Sequence, residues 1–358
     1  MAFDSRLHAA YLEEGPDPNE VSEEHLRELD EAEPHPIMDF FRGFWRRTIF
    51  LFKLSLLFAL VGAYPFSVVM SHKIDDSDIV FAKGQAWAFP ESGIAITKIA
   101  RELEGKGWAE DKPNWHPQSR LTAMPAWQEA TADGLSEFTR MAAAAVPDEN
   151  GEPDADLIAA SRLLHGIPGE DMRPRMTAAA EALNRFDSRA SRGLVTVADR
   201  RVLAADEARM FAGWAEADQD DLSTQIYQES TGWPASKQDI RVFYAAKARA
   251  HIALQMLKAA RLADRDSLAD ADTMAAYDKA EAAWTRAARI RPLVVSNQKG
   301  DGAIMANHLA SLGFFLRDAQ RTSLELAERL DQPLPPSEAP ETGEEVAQLD
   351  PAIASAAH

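Results

Sequence analysis

The chain contains no cysteine. That absence removes disulfides, thiolate metal ligands, iron–sulfur clusters and cysteine nucleophiles together. A domain without disulfides relies on its apolar core, which a chain of 358 residues is long enough to build. Other signatures are missing too. There is no GxxxxGK(S/T) phosphate loop, no GxSxG nucleophile elbow, no HExxH pair and no EF-hand loop. The nine histidines are scattered, and none pairs with another one helical turn away, which argues against a zinc site built on a single helix. No metal and no cofactor is expected. A basic excess is also lacking: the formal net charge is −19. Such a chain has no electrostatic footprint of a nucleic-acid binder, and none is expected as a partner. No repeat of fixed period is present, which argues against a solenoid.

Long apolar runs are scarce as well, and the single exception organises the rest. From Ile49 to Met70 the only charged residue is Lys53. A bilayer core of about 30 Å needs roughly 20 mostly apolar residues in a helix, which satisfies its own backbone polar groups. Lys53 lies near the arginine-rich end and can snorkel to the headgroups. Trp45 and Tyr64 suit the two interfaces. Arg42, Arg46 and Arg47 precede the run; His72 and Lys73, then Asp75, Asp76 and Asp78 follow it. The positive-inside rule then places the N-terminus in the cytoplasm and the C-terminal bulk outside. The preceding segment is acidic and no A-x-A-like site follows, so the run reads as an uncleaved signal anchor.

The expected organisation has four parts. Residues 1–41 carry 12 acids and 2 bases and read as a disordered cytoplasmic tail with two short helical patches. Residues 42–71 are the anchor with its basic flank. Residues 72–330 form the extracytoplasmic domain. Residues 331–358, with 6 acids and no base, read as a second disordered tail.

Within 72–330 the apolar spacing is helical almost throughout. Helices are expected from Ser92 to about Leu103, after Met124-Pro125, over Leu157–Leu164, Met176–Ala190, Val197–Ser230, Ala235–Leu262, Asp266–Ile290 and Ala303–Leu330. Alanine is abundant, which favours helix and close helix packing. Ile74–Pro90 and Pro292–Asn297 are the two candidate extended pieces. The fold class is mainly α: one N-terminal transmembrane helix plus an extracytoplasmic multi-helix bundle, with at most one or two short extended segments.

Three polar stretches stand out. The first is Asn114, His116 and Arg120 in a loop, where a histidine near an arginine can act as an acid/base group; the simpler expectation is a loop packing its tryptophan on the bundle. The second runs from Ser296 through Gly300-Asp301-Gly302 to Asn307 and His308. A glycine turn feeding a helix start presents free N–H groups to an anion; the simpler expectation is a turn with a helix cap. The third is Trp233-Pro234 with Arg241, Tyr244, Lys247 and Arg249, a basic groove or, more simply, a solvated helix face.

These stretches also carry a family resemblance. FPESG (Phe89–Gly93), Trp108 to Asn114, MPAWQ (Met124–Gln128), Val242–Ala259 and Arg291–Leu316, with its GDGxxxANHL core, resemble the DUF2333 family of bacterial single-span membrane proteins. The family pattern has Asp-Asn before the Met-Pro and Gly two residues after the Gln; here these are Thr122, Ala123 and Ala130. The resemblance implies a Gram-negative inner membrane, with the bulk of the chain in the periplasm, and implies no activity. The anchor, the long amphipathic helices, the acidic tails and the missing catalytic signatures lead to two expected functions. One is an anchored binding or scaffold component of the cell envelope, with the lipid bilayer and an envelope protein as partners. The other is a membrane-anchored hydrolase or lyase, with Asn114, His116, Arg120, Asp301, Asn307 and His308 as candidate catalytic residues.

Overall fold

The structure, a computed structural model, describes residues 36–71, 74–81, 86–104, 107–147, 151–167, 169–195, 199–228, 233–263, 270–298 and 306–333; within the first stretch the side chains of 36–39, 64–65 and 67–71 are outside the described set. The expected patches in the N-terminal tail, and all of the C-terminal tail beyond residue 333, lie outside these residues. The chain divides into two compact units, 1–65 and 66–358.

The described residues fold into nine α-helices and no strand. The first, α1 (Pro36–Ser71), carries the apolar run as one helix that starts well before it, so the aromatic and arginine residues of 37–47 are part of the same rod. Its described apolar side chains from Phe40 to Phe66 are exposed, with only Leu54 among them half-covered. Among the described residues no helix is long and apolar enough to cross a membrane. The fully described part of α1 includes Arg46, Arg47 and Lys53, and the apolar run continues into residues 64–70, of which only the Phe66 side chain is in the described set.

The second unit is a helical bundle of α2 (Pro90–Leu103), α3 (Ala123–Ala145), α4 (Ala155–Leu164), α5 (Met172–Ser191), α6 (Arg200–Tyr227), α7 (Lys237–Ala263), α8 (Ala271–Ala288) and α9 (His308–Asp331). Starts are set by side chains that accept the free N–H groups of the first turn. Asp154, Asp199, Asp270 and Asn307 do so for α4, α6, α8 and α9. Ser236 and Asp239 cap α7 reciprocally, each bonding the other's backbone N–H at 3.0 and 2.7 Å. Pro90 opens α2 in the position where a missing N–H costs nothing. Gly193, at φ +70°, ends α5 and lets Leu194 N–H bond back to the Arg189 carbonyl at 3.0 Å.

α7 lies at the centre, packing on α2, α3, α6, α8 and α9. Its buried alanines, Ala246, Ala250, Ala253 and Ala260 among them, permit that many close neighbours. α9 runs antiparallel to α6: Arg201 bonds the Arg329 carbonyl at 2.9 Å, and Gln219 bonds Gln320 at 3.0 Å. α8 closes that side through Trp284, whose indole N–H donates to Ser323 Oγ at 2.9 Å. On the other side Phe89 meets the Phe186 ring edge-on at 5.3 Å, joining α2 to α5.

The structure moves several expected boundaries. α9 starts at His308, not Ala303, because Asn307 is its cap. α6 ends at Tyr227 and α8 spans a shorter stretch than 266–290. Asp331, assigned to the tail, closes α9 and pairs with Arg209. Neither candidate extended piece is a strand among its described residues; one isolated antiparallel bridge pairs Pro147 with Pro153. The segment 74–81 lies instead as a strap along α2 and α7.

Candidate functional site

The strap has three aspartates in four residues, and each meets cations from elsewhere in the chain. Asp76 accepts from Lys247 Nζ at 2.7 Å and from Arg291 at 2.5 and 3.0 Å. Asp78 pairs with Lys258 at 3.2 Å and Arg289 at 2.8 Å, and accepts from Gln255 at 3.2 Å. Asp75 bonds Ser77, with Arg101 4.0 Å away. Arg101 also donates to the Ser77 and Asp78 carbonyls at 3.0 and 3.1 Å. Ile79 is anchored by its N–H to Gln255 Oε1 at 2.9 Å. The groove is therefore basic, and the chain's own acidic strap fills it.

Its floor is the fully buried Trp127, with Lys98 Nζ 4.6 Å and Lys247 Nζ 5.9 Å from its ring. The Trp127 indole N–H donates to Glu102 at 2.9 Å, and Glu102 also holds Lys98 at 2.8 Å. His251 is buried beside this ring, at 5.6 Å, with Nε2 3.2 Å from the Ser77 carbonyl oxygen. The charges act in opposite senses. Burial works to raise the Asp76 pKa, but hydrogen bonds from Arg291 and Lys247 outweigh it and lower it to about 2. Burial, then the Lys98 charge, pushes His251 down to about 3, against a smaller upward pull from Ser77, Asp76 and Asp78. A cavity of about 390 Å³ opens at the start of the strap, bounded by Ile74, Asp76, Tyr244, Lys247, Arg291 and Pro292.

A second cavity, about 420 Å³, has the opposite character. Glu110, Asp111, Glu129, Asp133, Glu170 and Asp171 line it with Trp108 and His165. Burial, then the charge of Glu129, raises the pKa of both Glu110 and Asp133. Two of these acids are structurally engaged: Asp111 accepts the Met172 and Arg173 N–H groups at 2.9 Å, and Glu129 holds Arg241 at 2.7 Å. Among the described residues no group of histidine and acidic side chains is arranged to hold a metal ion.

Of the residues singled out from sequence, His116, Asn307 and His308 make local structural bonds. His116 uses Nδ1 to accept the Gln118 N–H at 3.1 Å and so caps the short 3₁₀ turn Pro117–Arg120, while Asn114 and Arg120 are exposed. The tryptophan packed on the bundle is Trp108; Trp115 stands out in solvent, correcting the expectation for this loop. Asn307 caps α9 and also donates to Asn297 Oδ1 at 3.1 Å. Asn297 in turn donates to the Gln225 carbonyl and to Asp239, at 3.0 and 3.1 Å. His308 Nδ1 accepts the Ser296 N–H at 3.2 Å. These residues form a knot joining the ends of α6, α7 and α9. Asp301 lies outside the described residues, as does the glycine turn around it. Among the described residues no hydrogen bond or ion pair joins the His116 loop to the His308 segment.

The third stretch divides: Tyr244 and Lys247 border the basic groove that the strap fills, while its other cations pair elsewhere. Arg241 pairs with Glu129, Lys247 with Asp76, and Arg249 with the buried Asp218. Burial raises Asp218 to about 6 despite Arg249. Comparison with protein-family models, curated proteins and solved structures gives no match.

Sequence reading missed two features. The strap aspartates read only as flanking charge, because their partners lie 171 or more residues away for Lys247 and beyond. A buried acid pair was also hidden: Arg200 reaches Glu91 at 3.3 Å and stacks over Phe89 at 4.4 Å, beside Glu207, whose buried carboxyl has no hydrogen-bond partner among the described residues. Burial, then the Glu91 charge, raises Glu207 well above the usual carboxylate range. A glutamate on an otherwise apolar helix face was the one available signal.

Proposed function

We propose that this chain is a single-pass membrane protein whose helical bundle acts as a binding or scaffold component of the cell envelope. One observation carries the reading: the described apolar side chains of α1 between Phe40 and Phe66 are exposed, with only Leu54 half-covered. A helix that is apolar all round needs either a protein core or lipid around it. Its cations gather at one end, Arg42 to Lys53, and acids follow the other. That asymmetry supports a cytoplasmic N-terminus and a bundle outside. The DUF2333 resemblance adds the inner membrane and the periplasm.

The scaffold half of the reading is supported by where the chemical groups go. His116 and Asn307 are spent on helix caps, His308 on a backbone N–H, and Lys247, Lys258, Arg289 and Arg291 on the aspartates of the chain's own strap. A reporter active only outside the cytoplasm, fused after Leu330, should be active; silence there overturns the orientation. Crosslinking in intact membranes, read by mass spectrometry, should recover a reproducible envelope partner; recovering none sinks the scaffold role.

A further inference from the structure

We infer that one end of the bundle, the end carrying Trp233 and Leu293, rests in the interfacial layer of the same phospholipid bilayer that holds α1. The inference rests on the single-span reading and adds a second, peripheral contact to it.

Four large apolar or aromatic side chains are exposed at this end. Leu293 is fully exposed at 104%, Trp233 is at 78%, and Tyr227 and Val294 are exposed with them. They surround one hydrogen-bonded knot. The Pro234 carbonyl accepts the Asn297 N–H and the Gln298 side-chain amide, both at 3.1 Å. Asn297 also bonds the Gln225 carbonyl. Trp233 adjoins Pro234, Tyr227 is two residues past Gln225, and Leu293 and Val294 precede Asn297 by four and three. The short chain distances keep all four at one end of the bundle.

The chain from the anchor arrives at this same end. Arg291 and Pro292, next to Leu293, border the cavity that Ile74 and Asp76 line. Ile74 is three residues beyond Ser71, the last residue of α1. Three peptide steps span at most about 11 Å. From there the strap leads away along α7: Asp76 sits by Lys247, and Asp78 by Lys258, three turns further on. The start of the strap, at Tyr244 and Lys247, and the exposed cluster thus both lie toward the N-terminal half of α7.

The side chains suit the bilayer interface. Trp and Tyr place an apolar ring and a polar tip at headgroup depth, and Leu and Val add apolar area. Exposed apolar clusters of this kind mark contact surfaces, and the tether length selects the bilayer over a distant partner. The bundle as a whole is acidic, so the contact is driven by apolar burial and needs no anionic lipid.

The test uses the full chain in phosphatidylcholine vesicles. With no native cysteine, single sites can be labelled cleanly with an environment-sensitive fluorophore: Leu293→Cys, Leu262→Cys near the far end of α7, and Phe58→Cys in α1. Leu262 is also exposed and lies 25 residues, roughly 38 Å, along the helix from Lys237. The label at 293 should shift to the blue and lose emission to lipids spin-labelled near the headgroup, while the label at 262 should do neither. The label at 58 should be quenched best by lipids labelled near the chain end. If 58 is quenched and 293 behaves like 262, the docking end is refuted while the span stands. If 58 is not quenched, the span itself fails and this inference with it.

Discussion

Lys247 Nζ sits 2.7 Å from Asp76 Oδ2, and both side chains are more than nine-tenths buried. The pair ties the strap to the centre of the bundle. Burial lowers the Lys247 pKa even with this partner present, so the charge is held at some cost.

Removing Asp76 should therefore expose that cost. Asp76→Ala leaves Lys247 buried and unpaired and should destabilise the chain by about 3–5 kcal/mol. Replacing both partners by apolar residues, as in Asp76→Val with Lys247→Met, should recover most of the loss. Arg291→Ala, at the exposed side of the same carboxylate, should cost only about 0–1 kcal/mol. Chemical unfolding of the three variants against the parent chain reads this directly. A loss below 1 kcal/mol for Asp76→Ala would show that the strap is held by something else.

His251 sets an acid limit on stability. It is neutral in the folded chain down to about pH 3, surrounded by Lys98 of α2, Trp127 of α3, Lys247 and Gln255 of its own helix, and Asp76, Ser77 and Asp78 of the strap. In the unfolded chain it takes a proton near its ordinary value of 6.5. Between these limits the unfolded state binds more protons, so stability falls as pH drops, by up to about 1.4 kcal/mol per pH unit from this group. His251→Gln should remove that slope, and the stability difference between variant and parent should grow in the variant's favour from pH 6.5 towards pH 3. Equal slopes for the two chains would assign the acid sensitivity elsewhere.

Gly93 closes against a tryptophan. A Cβ at this position would meet Trp87 ring atoms at 2.6–2.7 Å. Gly93→Ala should displace the indole and cost about 1–3 kcal/mol, the usual range for overpacking. The intrinsic fluorescence should move to the red as Trp87 leaves its place. Unchanged emission and stability would mean that the ring moves aside without loss.

Asn307 has two tasks that substitution can separate. Asn307→Ala loses the cap of α9 and the bond to Asn297, and should cost about 2 kcal/mol in all. Asn307→Ser keeps an oxygen for the Ala310 N–H and should cost about half as much. Thermal unfolding ranks the two; equal losses would make the knot, and not the cap, the source of the effect.

How far the sequence discloses all this depends on distance along the chain. Helices were legible because apolar spacing, proline and capping residues act within a few residues. A cap near the glycine turn was legible in the same way, but the expected start at Ala303 placed Asn307 inside the helix and not at its cap. The groove was not. Lys98 on α2, Lys247 and Lys258 on α7, and Arg291 in the loop after α8 come from three separate segments, and Lys247 and Arg249 on one helix point to different acids. Helical periodicity says which face a residue shares with its neighbours; it does not say which distant aspartate lies opposite. His251 was hidden for the same reason, as a polar residue inside a run of core positions.

The strap also has a consequence in time. Asp76 is made 171 residues before Lys247. At about 5–20 residues per second, it waits roughly ten to thirty seconds for its partner to be synthesised. A waiting segment made of apolar residues would invite wrong pairings throughout that interval. Ile-Asp-Asp-Ser-Asp stays hydrated until the groove exists, so the order of synthesis and the choice of charge over hydrocarbon belong together.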